Sequence, residues 1–171
     1  LDINYGVGNL VLNVNNQLDY PIRFIGIESS NVLANYANTI NNFMGVDVTI
    51  YNQDALSMIV PNVDLVLADL ASYEYEDPLY DSKLRQKGIT YFPYLVIEKH
   101  LESGHEKTKY MYLIDFDFFE HPGSQEFKKL LNEKVSIKSL IVLPQSFFQT
   151  SPKAILILDK VKMGSTNIVS L

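Results

Sequence analysis

Short runs of β-forming residues alternate with helical patterns along almost the whole chain, and this alternation constrains the fold more than any other feature. The β-rich runs cover residues 21–28, 46–51, 63–68, 110–114, 140–143 and 154–158. Residues 29–31 are good N-terminal caps for a helix whose apolar residues recur from Leu33 to Met44. Strands that alternate with helices of this length predict βαβ units and a mainly parallel sheet.

Two segments depart from the simple alternation. Residues 72–88 are rich in Tyr and Asp and are predicted to form a long loop. Only residues 144–153 separate the last two β-rich runs, which is short for a crossover helix, so the final strand is expected to be antiparallel. The sequence therefore predicts an α/β three-layer sandwich, in a single domain over residues 1–171.

Composition and charge narrow the class of protein. Of the 171 residues, 47% are hydrophobic and none is cysteine, which excludes disulfides and thiolate metal sites and fits a cytoplasmic location. The net charge of −6 does not favour a free-standing DNA-binding domain, because phosphate contacts need clustered Lys and Arg. The sequence shows neither an apolar run of the ~20 residues that span a bilayer nor a signal peptide, so no membrane partner is expected. Because the chain lacks an initiator Met, a natural N-terminal region is expected to be missing.

The three histidines do not suggest a metal site. His100 and His105 lie near the end of a predicted helix, without a carboxylate at ligand spacing, and are expected to be surface residues. No metal ligands are therefore predicted.

Acidic residues end four successive predicted strands. These residues are Asp2, Glu28, Asp54 and Asp69. Ligands of open α/β sheets bind at the carboxyl ends of the strands, where carboxylates can accept hydrogen bonds from hydroxyl and amino groups. The alternative is that each acid caps the helix or turn that follows it.

A Gly-x-Gly turn follows the first of these acids and raises a second possibility, a dinucleotide site. Gly6, Gly8 and Glu28 match part of the fingerprint G-x-G-x-x-G with a later acid. Val11 occupies the position of the third glycine, which normally permits close packing of helix and strand. An NAD-dependent oxidoreductase is therefore the less favoured alternative.

Taken in order, these segments resemble the motifs of a known family. Residues 1–10 (LDINYGVGNL) resemble D-P-x-x-G-x-G-x-[LF], with Ile3 in place of the proline. Residues 52–56 and 63–71 resemble two later motifs, the second leading into N-P-P-[YF]. Over essentially its whole length the chain resembles the class I S-adenosylmethionine-dependent methyltransferases, and among them the bacterial N6-adenine DNA methylase-like proteins that include type I restriction methylase subunits. The resemblance implies a Rossmann-like methyltransferase sandwich with a mostly parallel seven-stranded sheet and an antiparallel last strand.

The resemblance also implies S-adenosyl-L-methionine as the cofactor and assigns residues to it. Asp2, Gly6 and Gly8 would surround its methionine part. Glu28 would bind the ribose hydroxyls, and Asp54 would contact the adenine amino group. The whole predicted cofactor-binding set is Asp2, Asn4, Gly6, Gly8, Asn9, Glu28, Ser29, Asp54, Ala55 and Asp69.

The segment that would carry the chemistry departs from the family motif. In the N-P-P-[YF] motif an Asn or Asp side chain and the next carbonyl orient the target amine, prolines rigidify the segment, and the aromatic residue stacks on an extruded base. Here Asp69 and the Leu70 carbonyl keep the acceptor groups, but both prolines are absent and Ser72 stands where the aromatic residue is expected. Tyr73 could take over the stacking, and its alternative role is ordinary loop packing.

Two functions therefore follow from the sequence. The first is methyl transfer from S-adenosylmethionine to an exocyclic amine, with adenine in DNA as the implied acceptor, although the acidic charge does not support a nucleic-acid partner. The second is a catalytically degenerate, methyltransferase-like binding or regulatory module. The oligomeric state and the identity of the acceptor do not follow from these residues.

Overall fold

The computed structural model describes residues 1–148, 151–161 and 166–170 of the chain. Contacts between residues divide it into two compact units, Leu1–Met58 and Ile59–Leu171. The prediction of one domain over residues 1–171 stays a prediction.

The first unit contains two helices and two parallel strands. Its elements are α1 (Asn9–Asn16), β1 (Phe24–Ile27), α2 (Asn31–Met44) and β2 (Val48–Tyr51). β1 pairs in parallel with β2, and Asp2 forms an isolated parallel bridge with Gly26 on β1. The predicted cap of α2 is confirmed, since the Ser30 side chain accepts a hydrogen bond from the Leu33 amide.

α2 presents an unusual outer surface. Its inward residues are small or polar, namely Ala34, Ala37 and Asn41. Several large apolar residues point outward instead, and Phe43 is 89% exposed. The helix contains no Asp, Glu, Lys, Arg or His.

A tyrosine forms the centre of the core of the first unit. Tyr5 packs with Val11, Phe24 and Ala37, and all four side chains are buried. Its hydroxyl donates a hydrogen bond to Asn41 Oδ1 over 3.0 Å, which satisfies a buried polar group from α2.

The second unit is built on a five-stranded mixed sheet with the strand order β3-β4-β6-β5-β7. Its strands are β3 (Leu65–Asp69), β4 (Lys109–Asp115), β5 (Ser136–Val142), β6 (Lys153–Asp159) and β7 (Asn167–Ser170). Its helices are α3 (Lys83–Gln86), α4 (Phe92–Ser103) and α5 (Ser124–Lys134). β3 pairs in parallel with β4, and β7 with β5, while β6 is antiparallel to both β4 and β5. The carboxyl ends of β3, β4 and β5 therefore lie at the same edge of the sheet as the beginning of β6.

Several large aromatic residues lie in the core of the second unit. α4 is buried on almost every side, and its Tyr94 stacks on Phe127 of α5 with ring centroids 4.1 Å apart. Burial raises the pKa of the Tyr94 hydroxyl, which donates to the Phe118 carbonyl. This packing fixes the helices against the sheet.

The comparison with the sequence predictions is mixed. The α/β class and the antiparallel pairing of β6 with β5 are confirmed. However, β6 is followed by β7, which is parallel to β5, and the short helix α3 lies inside the predicted loop. The seven named strands form sheets of two and five strands, so the single mostly parallel seven-stranded sheet stays a prediction.

The prediction that His100 is a surface residue is wrong. His100 is only 1% exposed, and its Nδ1 lies 3.0 Å from the Tyr112 hydroxyl. Burial lowers the pKa of His100 to about 3, so the imidazole is neutral at physiological pH. His105 is exposed, as expected.

Candidate functional site

In the first unit, the two glycines of the Gly-x-Gly turn have different surroundings. Both adopt positive φ angles, 56° at Gly6 and 89° at Gly8, which disfavour any side chain. A Cβ at Gly8 would lie 2.8 Å from the Tyr5 ring, whereas a Cβ at Gly6 would meet no atom within 4 Å. Gly8 is thus needed for the packing of Tyr5, and the Cα of Gly6 borders open space.

Glu28 joins the end of β1 to this turn. Its Oε2 accepts a hydrogen bond from the Gly6 amide at 2.8 Å, and its Oε1 accepts one from the Ser30 amide at 2.7 Å. A carboxylate offers about four lone-pair positions, so these two bonds orient the group and leave acceptor capacity. The Glu28 carboxylate is therefore held in place beside the open side of Gly6.

Asp2 links the glycine turn to β1 through hydrogen bonds. Asp2 is 2% exposed, and its backbone bonds to Ile25 and Ile27 of β1. Its Oδ1 accepts a hydrogen bond from the Asn4 amide at 3.1 Å. Burial is the main reason that the pKa of Tyr5 is raised, and the Asp2 carboxylate adds to it. Asn9, the first residue of α1, is exposed.

The end of β2 is tied to the end of β1. Asn52 Nδ2 donates to the carbonyls of Glu28, at 2.8 Å, and Ser29, at 3.1 Å. Asp54 Oδ1 accepts from the Leu56 amide at 2.7 Å, and Ala55 between them is buried. The structure thus brings the strand ends at Asp2, Glu28 and Asp54 together within one unit. It also shows the local capping bonds that the alternative for Glu28 and Asp54 predicts.

The second unit places Asp69 at the end of β3, beside a lysine. Lys153 Nζ lies 2.5 Å from Asp69 Oδ1; the side chain of Asp69 is 54% exposed and that of Lys153 20%. The next residue, Leu70, is buried, and its amide donates to the Leu113 carbonyl of β4 at 2.9 Å. The backbone after Asp69 is thus fixed by the sheet although it contains no proline.

Ser72 and Tyr73 are both engaged in local contacts. The Ser72 hydroxyl lies 2.8 Å from the Tyr91 hydroxyl and also donates to the Asp115 carboxylate at the end of β4. Tyr73 stacks on Phe92, with ring centroids 4.4 Å apart and planes inclined by 19°, and is 45% exposed. Tyr73 therefore packs within the loop, as the alternative role predicts, and part of the residue stays exposed.

Sequence reasoning missed the partners of Asp69 and Ser72, which are Lys153 and Asp115. Asp115 reaches Ser72 through the pairing of β3 with β4, and Lys153 reaches Asp69 through this pairing together with that of β4 with β6. The predicted antiparallel pairing of the last two β-rich runs is a partial signal, because it places the first residue of β6 at the carboxyl end of β5. The carboxyl end of β4 lies at the same edge of the sheet.

Within residues 1–148, 151–161 and 166–170, no three His, Asp or Glu side chains form a group that could hold a metal ion. No helix of this described part is long and apolar enough to cross a bilayer.

Comparison with known proteins gives one curated relative and many similar structures. No family model matches the chain. The uncharacterized protein YtxK of Bacillus subtilis is 29% identical over 151 residues, which are 85% of this chain and 46% of YtxK. The chain thus spans about half the length of this relative.

Two solved structures illustrate the fold. A Listeria monocytogenes protein assigned to the class I S-adenosylmethionine-dependent methyltransferases superimposes with a TM-score of 0.85 and 22% identity, over 100% of this chain and 58% of that one. The methyltransferase subunit of a type I restriction-modification system from Streptococcus thermophilus superimposes with a TM-score of 0.79 and 19% identity, over 99% of this chain and 41% of that one. The chain therefore has the fold of the class I S-adenosylmethionine-dependent methyltransferases.

Proposed function

We propose that this chain binds S-adenosylmethionine and transfers its methyl group to an exocyclic amine, with N6 of adenine in DNA as the acceptor that the family resemblance favours. The observation that carries the proposal is the arrangement of Gly6 and Glu28. An oriented carboxylate lies beside a glycine whose Cα borders open space. Such a pair can take a ribose through its hydroxyls while the bare backbone lets the rest of the cofactor approach.

The residues of the first unit fit the cofactor as follows. Glu28 would accept hydrogen bonds from the ribose hydroxyls with the lone pairs that the Gly6 and Ser30 amides leave. The buried Asp2 would hold the glycine turn in shape, and its negative charge favours a cationic ligand near the turn. Asn52 would keep the ends of β1 and β2 at a fixed separation.

When bound, S-adenosylmethionine supplies an electrophilic methyl group on a sulfonium. In the second unit, the Asp69 carboxylate and the Leu70 carbonyl would accept hydrogen bonds from the target amine and so orient its lone pair. On transfer, a carbon–nitrogen bond would replace the sulfur–carbon bond, S-adenosylhomocysteine would be the leaving group, and the amine would lose a proton. Tyr73 would cover one face of a planar acceptor with its exposed part.

Calorimetric titration of the chain with S-adenosylmethionine, S-adenosylhomocysteine and NAD tests the cofactor assignment. We expect the first two to bind and NAD not to bind. Glu28→Gln places an amide donor against the Gly6 or Ser30 amide and should weaken binding of S-adenosylmethionine about 10- to 100-fold. Asp19→Asn, which removes an exposed acid outside the turn, is the control and should leave affinity unchanged. Binding of NAD alone would overturn the proposal.

The degenerate binding module is the second candidate, and one observation favours it. The segment after Asp69 lacks both prolines of the family motif. Transfer of a labelled methyl group to adenine-containing DNA separates the two candidates. Tight cofactor binding without any transfer, to DNA or to small aromatic amines, would favour the module.

The NAD-dependent alternative is disfavoured by the packing of α1. Val11, at the position of the third fingerprint glycine, is buried against Tyr5 and Phe24. A residue of this size keeps α1 further from β1 than the glycine of a dinucleotide site would.

A further inference from the structure

We propose that Lys153 is a positioning residue for Asp69. The lysine holds the Asp69 carboxylate at the end of β3 in one orientation, and it so replaces the rigidity that prolines would give this segment. The inference rests on the proposed function in one respect, namely that Asp69 receives the target amine.

The ion pair joins a covered lysine to a half-exposed acid. Lys153 Nζ and Asp69 Oδ1 are 2.5 Å apart, and four-fifths of the Lys153 side chain is covered, against less than half of Asp69. Exposed ion pairs contribute little because two mobile side chains must be ordered to form them. Here packing has already ordered the stem of the lysine, so the ammonium acts as a fixed point to which the acid is bound.

Strand pairing fixes the backbones of both partners. Asp69 lies opposite Leu113 in the β3–β4 ladder, and Lys153 lies opposite Asp115 in the β4–β6 ladder. Beyond the ends of these strands, the Leu70 amide bonds to Leu113, and the Phe116 amide bonds to the Pro152 carbonyl at 3.0 Å. The ion pair therefore spans the end of β4 between two anchored backbones.

These backbone hydrogen bonds do not fix the side-chain torsions of Asp69. The ladder bond at Leu70 fixes the second acceptor, the Leu70 carbonyl, but it does not choose a rotamer for Asp69. A cation at Oδ1 selects the rotamer that brings the carboxylate toward β6, and a carboxylate with about four lone-pair positions can still accept from an amine. Lys153 is thus expected to influence the turnover of the amine and not the affinity for the cofactor.

Activity measurements with matched variants form the first test. We expect Lys153→Met to lower kcat about 10-fold or more, because misplacement of an orienting group is costly, with unchanged affinity for S-adenosylmethionine. Lys153→Arg should restore most of the rate. Asp69→Ala with Lys153→Met should be no slower than Asp69→Ala alone, because a residue that acts through another loses its effect when that other is removed.

Lys109 offers a matched control in the same sheet. It pairs with Asp159 at the opposite end of the β4–β6 ladder. Lys109→Met removes a Lys–Asp pair from the same sheet and should leave kcat unchanged, because this pair lies at the end of the ladder away from Asp69. An equal loss of kcat in both variants, or additive effects of Asp69→Ala and Lys153→Met, would overturn the proposal.

A second measurement does not depend on activity. Three-bond couplings to Asp69 Cγ, measured by NMR, report whether its side chain occupies one rotamer. We expect one rotamer in the wild-type chain and in Lys153→Arg, and averaging in Lys153→Met. One unchanged rotamer in Lys153→Met would overturn the proposal even if the chain transfers methyl groups. If the wild-type chain transfers none, the proposed function fails, and these couplings still decide whether Lys153 positions Asp69.

Discussion

Gly26→Ala tests the packing that shapes the glycine turn. A Cβ at Gly26 would lie 2.3 Å from Tyr5 Cδ2 and 2.7 Å from Cγ. Carbon atoms pack at about 3.5–4.0 Å, so the ring has to move by about 1 Å. These atoms belong to the root of a buried ring and not to the end of a flexible side chain, so relief requires movement of the core.

The expected loss of unfolding free energy is about 1–3 kcal/mol, the usual cost of overpacking a core. For a chain of this size each kcal/mol lowers Tm by about 2–4 °C. Gly45→Ala is the control, because its Cβ would meet no atom within 4 Å and only the φ of 67° opposes it. Urea unfolding followed by circular dichroism measures both variants.

A double-mutant cycle with Tyr5→Ala decides whether the ring is the cause. Tyr5→Ala alone should cost about 3–5 kcal/mol, since it empties a buried site and removes the bond to Asn41. In that background Gly26→Ala should cost much less than in the wild-type chain. Equal costs in the two backgrounds would refute the reasoning.

Three further predictions concern the second unit. Burial lowers the pKa of His100 to about 3, below its value in the unfolded chain. The unfolded chain therefore binds a proton that the folded chain does not, and stability should fall as the pH drops from about 6.5 toward 3. His100→Gln should flatten this part of a profile of Tm against pH. Hydrogen bonds from Lys129 and Lys87 lower the pKa of Glu126 to about 2. The midpoint of its NMR titration should lie near that value and should rise in Lys87→Met. A midpoint that this substitution leaves unchanged would contradict the assignment. Tyr73→Ala removes the ring stacked on Phe92 and should cost about 0.5–1.5 kcal/mol in urea unfolding, while Tyr73→Phe, which keeps the ring, should cost less.

The sequence predicts the elements that carry local signals. α2 was predicted because its cap and its apolar spacing are both local, and the pairing of β5 with β6 followed from the length of their connection. β7 was missed because its four residues are all exposed at a sheet edge and show no alternation of buried and exposed positions.

The candidate site could be predicted in its residues but not in their partners. The glycine turn and Glu28 lie in a recognisable spacing, yet the reason for Gly8 is the Tyr5 ring, a packing contact that no spacing reveals. The burial of His100 depends on α4 being enclosed on almost every side, and Lys153 meets Asp69 only through the β3–β4 and β4–β6 ladders together. Contacts between distant segments therefore decide what the local patterns cannot.

The uncharged outer surface of α2 has a consequence for the behaviour of the protein in solution. The net charge of −6 at pH 7, which keeps copies apart by repulsion, is carried by other parts of the chain. Near the pI of about 5.0 this repulsion vanishes, and a helix that exposes Phe43 and contains no charged residue becomes prone to self-association. Charged residues introduced at the exposed Asn38 and Asn42 would raise colloidal stability at mildly acidic pH without touching the buried face of the helix.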